Sequence, residues 1–226
     1  MIRARLSTAV SPRPRDRAAT EERILGAVGE VLARDGFSGI GINAIAKQAS
    51  VDKVLIYRYF GGLPELLRAW GESGRFWPRV ADLLGPDPQV LLSLPTAERY
   101  ARFFEHFVDE LRTRPLTVAV LAGEVNGRNE LTAILEAERE QWGEEAVRVL
   151  GGTAWTERPW LQGMTLLLVA GVQHLLVRSR QIRVFGGVDL RSDEGWDELK
   201  HSLRELARVL FPPISSPRAN VKSRTR

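Results

Sequence analysis

Residues 49–67 read ASVDKVLIYRYFGGLPELL. Seven bulky side chains follow one another from Val54 to Phe60, more than one buried face of a short helix can take. Helical spacing divides them. Val51 and Leu55 lie four apart, as do Ile56 and Phe60, and together they make one apolar strip. Lys53, Val54, Tyr57 and Arg58 fall on other faces, with Leu55 at the edge of the strip. Gly61 and Gly62 then stop the helix, which is expected over about 52–60. The bulk left over (Val54, Tyr57, Arg58 and Tyr59) must lean on something outside that strip.

The residues before this helix supply its context. INAIAKQA (42–49) reads as a short helix with Ile42, Ile45, Ala46 and Ala49 inward, leaving Asn43, Lys47 and Gln48 to point elsewhere. Ser50 and Val51 make a tight connection. A longer helix comes first. Thr20 suits its N-cap, Glu21 and Glu22 suit the positive end of its dipole, and Ile24, Ala27, Val28, Val31 and Leu32 form its inward stripe. Gly36 is placed to end it and Phe37 to fold back toward the core. A long helix followed by two short ones across a tight turn is a helix-turn-helix unit, whose last helix enters the major groove of DNA. There an arginine can hold guanine with two hydrogen bonds and an apolar side chain can touch a thymine methyl. A lysine or a tyrosine hydroxyl can hold phosphate, fixing register without reading sequence. From the pattern alone a second use of Tyr57 and Tyr59, packing against the rest of the protein, stays open.

The stretch from Thr20 to Leu67 resembles the DNA-binding domain of the TetR (tetracycline-repressor-like) family of transcriptional regulators. The marks are ERIL with Ala27 following, DGF at 35–37, IAKQASV at 45–51, and IYRYF at 56–60 in place of the family's LYxxF. The resemblance implies that Lys53 and Tyr57 meet backbone phosphate and that Arg58 and Tyr59 reach bases or backbone. With Asn43 and Lys47 from the preceding helix, and Val54 and Leu55 where the family usually has Gly-Thr, these form the expected DNA-binding set. Gly41 replaces the usual Ser or Thr cap on the second helix. Leu63 stands where a lysine usually opens helix four, so one phosphate contact is missing.

Charge suggests what compensates. The chain of 226 residues has a formal net charge of +4. Residues 1–19 carry five Arg and one Asp, and residues 213–226 carry three Arg and one Lys. Each tail is thus +4 and the body, 20–212, is net −4. Basic tails attract nucleic acid or simply keep a protein soluble. Arg13, Arg15 and Arg17, just ahead of helix one, are placed to supply the phosphate charge that Leu63 does not. The absence of cysteine removes disulfides, thiolate zinc sites and cysteine nucleophiles, and suits a reducing cytoplasm. The apolar run in the N-terminal 19 residues is too short for a signal peptide, although an Arg-rich start also suits a transit peptide. The most apolar segment, 164–177, reads as too short to span a bilayer. A soluble cytoplasmic protein is expected.

The expected fold class is all-α: a disordered basic arm (1–19), a three-helix helix-turn-helix DNA-binding domain (20–70), a larger helical body (71–212) and a basic disordered tail (213–226). Helix four is expected over 64–80. Further helices are expected over 95–114, from Pro115, and over 128–150, 157–182 and 193–211; no strand alternation is evident. Residues 161–177 are too apolar for one side of a monomer. Gly163, Leu167, Ala170, Gly171 and His174, with Leu199, Leu203, Leu206 and Leu210 on the last helix, are the candidate face of a two-fold homodimer, with internal core only as the alternative. Aromatic residues of the body (Trp77, Phe103, Phe104, Phe107, Trp142, Trp155 and Trp160) are either plain core or the wall of a cavity. Since regulators of the TetR kind generally bind a small effector in this body, the resemblance implies a pocket lined by Phe103, Phe104, Phe107, Trp142 and Trp160, with Glu124 and Asn126 as its polar part.

Other chemistry finds little footing. His106, His174 and His201 lie on separate helices without a metal-ligand neighbour at i+4. Glu136, Glu138 and Glu140 read as a solvated face. GFSGIG (36–41) lacks the lysine and the preceding strand of a phosphate loop. No catalytic residue, metal or cofactor is assigned. The expectation is a repressor released from a palindromic DNA operator by a small-molecule effector. The alternatives are an activator on the same fold, or a helical carrier or enzyme that binds no DNA.

Overall fold

The computed structural model describes residues 14–124, 130–151 and 158–212, and among them eleven helices and one two-stranded hairpin. The helices are α1 (Pro14–Gly39), α2 (Ile42–Ala49), α3 (Lys53–Phe60), α4 (Leu63–Glu72), α5 (Val80–Leu83), α6 (Pro88–Ser93), α7 (Thr96–Arg112), α8 (Pro115–Glu124), α9 (Glu130–Gly151), α10 (Trp160–Ser179) and α11 (Asp193–Leu210). Strands β1 (Val184–Phe185) and β2 (Val188–Asp189) pair antiparallel between α10 and α11. The all-α class expected from the sequence is the class observed.

Two compact units share the chain. One holds the residues up to Arg79 together with Leu111–Glu144; the other holds Val80–Glu110 and the residues from Glu145 on. In the first unit α1 packs against α2, α4 and α8, and α3 against α2 and α4. The stripe Ile24, Ala27, Val28, Val31 and Leu32 is buried as its spacing required, and meets a core that includes Ile45, Ile56, Leu66, Leu67 and Trp70. Gly29 makes room for Trp70, whose ring carbon would lie 3.2 Å from a Cβ there. Burial of this size, roughly 1.5–3 kcal/mol per large side chain, is what holds helices of eight residues that would not persist alone.

Several boundaries differ from those expected. α1 begins at Pro14, not after Thr20. Thr20 does not cap it: its hydroxyl donates to the Asp16 carbonyl one turn back, at 2.6 Å. Gly36 does interrupt α1, with φ 65°, the left-handed backbone that glycine adopts freely. Helix four ends at Glu72 rather than near 80. Gly74 (φ 71°) and Pro78 break it, and the segment of turns and bends after it is held as a strap by side chains from distant sequence. Arg114 donates to the Gly74 carbonyl, Thr117 to that of Phe76 at 2.6 Å, and the Trp142 indole to that of Pro78 at 2.7 Å.

In the second unit the aromatic side chains of α7 form the centre. Tyr100 and Phe104 rings lie 4.8 Å apart, Phe104 and Phe107 6.1 Å, and Phe211 closes on Tyr100 at 5.1 Å. Burial pushes the Tyr100 phenol up to about 12, and its hydroxyl bonds that of Thr165 on α10 at 2.8 Å. Salt bridges from Lys200 to Asp109 and from Arg204 to Glu105 tie α11 to α7. α10 runs over 20 residues, longer than the 164–177 stretch considered in the sequence, and by length and composition alone it is long enough to cross a membrane. One side of it, Leu161, Val172 and Leu176, is packed into this unit.

Candidate nucleic-acid interface

Local chemistry sets α3. Asp52 caps it, its carboxylate accepting from the Val54 N–H at 2.8 Å, and Gly61 with φ 96° ends it. Before it, Ser50 takes the left-handed conformation (φ 53°, ψ 48°), and the N–H groups of Ser50 and Val51 return to carbonyls of α2. Ser50 is the one described residue other than glycine with positive φ, a local cost accepted to make the turn. α2 is fixed to α1 by Gln48, which accepts from Arg34 at 2.8 Å and donates to Glu30. Gly41 caps α2 in extended conformation without a side-chain bond.

The two faces of α3 are separated. Ile56 is fully buried, while Val54 is 60% and Tyr57 54% exposed. Lys53 and Arg58 are exposed as well, and so are Asn43 and Lys47 on α2. Val51, Leu55 and Phe60 are half-buried along the edge of the packed strip. Tyr59 differs from its expected outward role. It is half-buried, with the Arg17 guanidinium 5.1 Å and that of Arg58 5.5 Å from its ring centre. Arg17, on the first turns of α1, also pairs with Glu21 at 2.7 Å. This stacking joins α1 to α3 and was not legible in the sequence, because forty-odd residues separate the partners. The side chains of Arg13 and Arg15 lie outside those described. Leu63 is the half-buried first residue of α4, so the start of that helix offers an apolar side chain and no cation, as its sequence implied.

The residues expected to line an effector pocket are not brought together as one set. Phe103, Phe104 and Phe107 are at most 2% exposed within the core of the second unit. Glu124 and Trp142 belong to the first. There Glu124 accepts two hydrogen bonds from Arg139, at 2.8 and 2.9 Å, and the Arg139 guanidinium lies over Phe76 at 5.5 Å. Burial raises the Glu124 carboxyl above its ordinary range, and Arg139 offsets part of that. Trp142 sets its edge on Trp77 at 5.8 Å. Trp160 is exposed at the start of α10. Asn126 and Trp155 lie outside the described residues. His106 is a structural residue, its Nδ1 2.7 Å from the Leu83 carbonyl oxygen.

The residues of the candidate dimer face differ in exposure. Gly163, Leu167, Ala170, Gly171 and His174 are all exposed along one side of α10, joined by Leu166. Leu199, Leu203 and Leu206 are only half-buried on α11, and Leu210 is packed inside.

Against known proteins, residues 24–70 match the sequence model of bacterial regulatory proteins of the tetR family. Two Mycobacterium tuberculosis proteins, from strains CDC 1551 and H37Rv, are 31% identical over 122 residues, and each is described as an uncharacterized HTH-type transcriptional regulator. The match takes in 51% of this chain and 59% of each relative. Among solved structures, a TetR-like transcriptional regulator from Rhodococcus sp. RHA1 superposes with a TM-score of 0.57 at 22% identity, over 88% of this chain and 98% of its own. FadR from Bacillus subtilis in complex with stearoyl-CoA gives 0.59 at 18%, over 86% and 99%. The multidrug binding protein EbrR complexed with malachite green gives 0.56 at 18%, over 85% and 98%.

Proposed function

We propose that the chain is a transcriptional regulator of the tetR kind, as the match of residues 24–70 supports, and that it is a repressor that reads a two-fold symmetric DNA operator with α3 and leaves it when a small effector binds. The observation that carries this is the opposition of Ile56, buried, to Val54 and Tyr57, exposed, on one eight-residue helix. A short capped helix with a packed back and an aromatic, cationic front is the form that enters a major groove. Lys53 and the Tyr57 hydroxyl hold phosphate. Arg58 reads a base edge and Val54 touches a thymine methyl, with Asn43 and Lys47 of α2 on the flanking backbone. Leu55 and Tyr59 position this front more than they read. Arg17, one of the three arginines expected to supply phosphate charge, reaches the same surface through Tyr59, although Glu21 offsets part of its charge.

The exposed side of α10 supports a homodimer. Leu166 and Leu167, about two thirds exposed, with the small residues Gly163, Ala170 and Gly171 between them and His174, form a strip that a second copy would bury. Two copies related by a two-fold axis would set their α3 helices about 34–36 Å apart, one turn of DNA. An effector that prefers a DNA-incompetent arrangement shifts the population away from the operator. FadR with stearoyl-CoA and EbrR with malachite green support a small-molecule effector with a sizeable apolar part.

The test is duplex affinity against salt. Each neutralised phosphate contributes about 0.9 to the slope of log K against log salt. The proposal expects a slope of several, reduced by about one in Lys53→Ala. A slope near zero on every duplex would refute it.

A further inference from the structure

The hairpin between α10 and α11 is built rigidly and yet displays its apolar residues. Gly186 and Gly187 have φ 58° and 89°, the pair of positive values that a two-residue turn between twisted strands requires. Leu190 extends the pairing, its N–H donating to the Arg183 carbonyl at 2.8 Å, and the Trp196 indole donates to the Leu190 carbonyl at 2.8 Å with both side chains buried. Gly195 lets the first turn of α11 lie flush on β2: a Cβ there would meet the Asp189 carbonyl oxygen at 2.1 Å. Arg183 pairs with Asp189 across the base, and Arg191 donates to the carbonyls of Ser179 and Arg180 at the end of α10. So much anchoring holds up two side chains that face water, Val184 at 56% and Phe185 at 44% exposed.

The Phe185 ring stands edge-on to His174 of α10, with centroids 6.0 Å apart. It therefore continues the exposed strip of Leu166, Leu167 and Ala170 beyond the last turns of that helix. Exposed charges of both signs flank it, Arg180 at the end of α10 and Glu194 on the first turn of α11, while Arg183 and Asp197 are already paired within the chain, with Asp189 and Lys200. A mixed field of this kind repels an anionic bilayer in part, whereas a second copy brings the same two signs to be matched across a two-fold axis.

We propose that this hairpin is a pre-formed dimerisation arm, with Val184 and Phe185 buried against the second copy of the chain. The inference rests on the α10 pairing proposed above and adds to it a site that pairing does not require. Pre-organisation is its advantage, since a rigid arm loses little conformational entropy on docking.

The absence of cysteine allows a direct test. Full-length Phe185→Cys, labelled with an environment-sensitive dye, is diluted through the dimer–monomer transition while mass is followed by sedimentation. The arm predicts a blue-shifted dye in the dimer that is lost over the same concentration range. A dimer whose dye stays water-like overturns the arm and leaves the α10 pairing standing; a chain that is monomeric throughout overturns both. Unlabelled Val184→Ser/Phe185→Ser should raise the dimer Kd roughly 10- to 100-fold, with Leu167→Glu as the control that dissociates it through α10. Gly195→Ala, which displaces the hairpin while keeping Phe185, should weaken the dimer in the same direction, and an unchanged Kd in both hairpin variants counts against the arm. Co-flotation with anionic vesicles that depends on Phe185 would overturn it in favour of a membrane.

Discussion

Consider Ile56→Ala beside Tyr57→Ala, neighbours on α3 with opposite surroundings. Ile56 is fully buried, so truncation removes most of its apolar area and leaves a cavity in a closely packed site. Such changes cost about 2–5 kcal/mol. A value near 3 is expected, because α3 has only eight residues and its end turns can relax a little toward the gap. Tyr57 is more than half exposed, and its loss should alter stability by about 0.5 kcal/mol or less. Affinity for DNA should divide the other way. Tyr57→Ala forfeits a phosphate hydrogen bond of about 0.5–1.5 kcal/mol, or roughly 2- to 12-fold, equally on all sequences. The assays are urea denaturation at fixed protein concentration, with the slope m checked for constancy, and fluorescence anisotropy on labelled duplex. If Tyr57→Ala proves the more destabilising of the two, or if Ile56→Ala costs less than about 1 kcal/mol, the assignment of faces is wrong.

Three further outcomes follow from the local geometry. Asp52→Ala removes the carboxylate that accepts from Val54 N–H and should cost about 1 kcal/mol in denaturation, with DNA affinity falling as α3 frays. Gly41→Ser should stabilise by a few tenths of a kcal/mol, since Gly41 has an extended backbone that serine adopts and open space around it, and serine adds the missing cap. Glu124 has a carboxyl pKa raised by burial. The stability it contributes is therefore present below the ordinary glutamate range and is lost as pH rises through the raised value. Glu124→Gln should lack that decline, so the stability difference between wild type and variant should shift toward the variant as pH rises above the ordinary glutamate range.

What the sequence revealed, and what it hid, follows from the range of the forces involved. The stripe of α1 and the two faces of α3 are matters of helical period within a few turns, and Ile24, Val28 and Ile56 are buried as that period required. The end of α4 was misplaced because the strap after it is held by Arg114, Thr117 and Trp142, forty to sixty-four positions away. Thr20 misled because a threonine hydroxyl serves as readily inside a helix, bonding backward to Asp16, as at its start. The hairpin did leave a signal, Gly-Gly between Val184-Phe185 and Val188-Asp189; two-residue strands are too short to show alternation. In the body, aromatic residues at helical spacing look the same whether they fill a core or wall a cavity. Phe103, Phe104 and Phe107 are packed edge to face, and only the fold could show that Glu124 is matched to Arg139.

The central claim is that α3 presents Val54, Tyr57 and Arg58 to a duplex in a paired molecule. Selection of bound fragments from random DNA, run in parallel for the wild type and Arg58→Ala, addresses it most directly. The account predicts an inverted repeat with half-sites one helical turn apart, and a loss of preference at one base pair per half-site in the variant, at a cost of about 1–3 kcal/mol. Enrichment of no sequence, or an inverted repeat that Arg58→Ala leaves unchanged at every position, would contradict it.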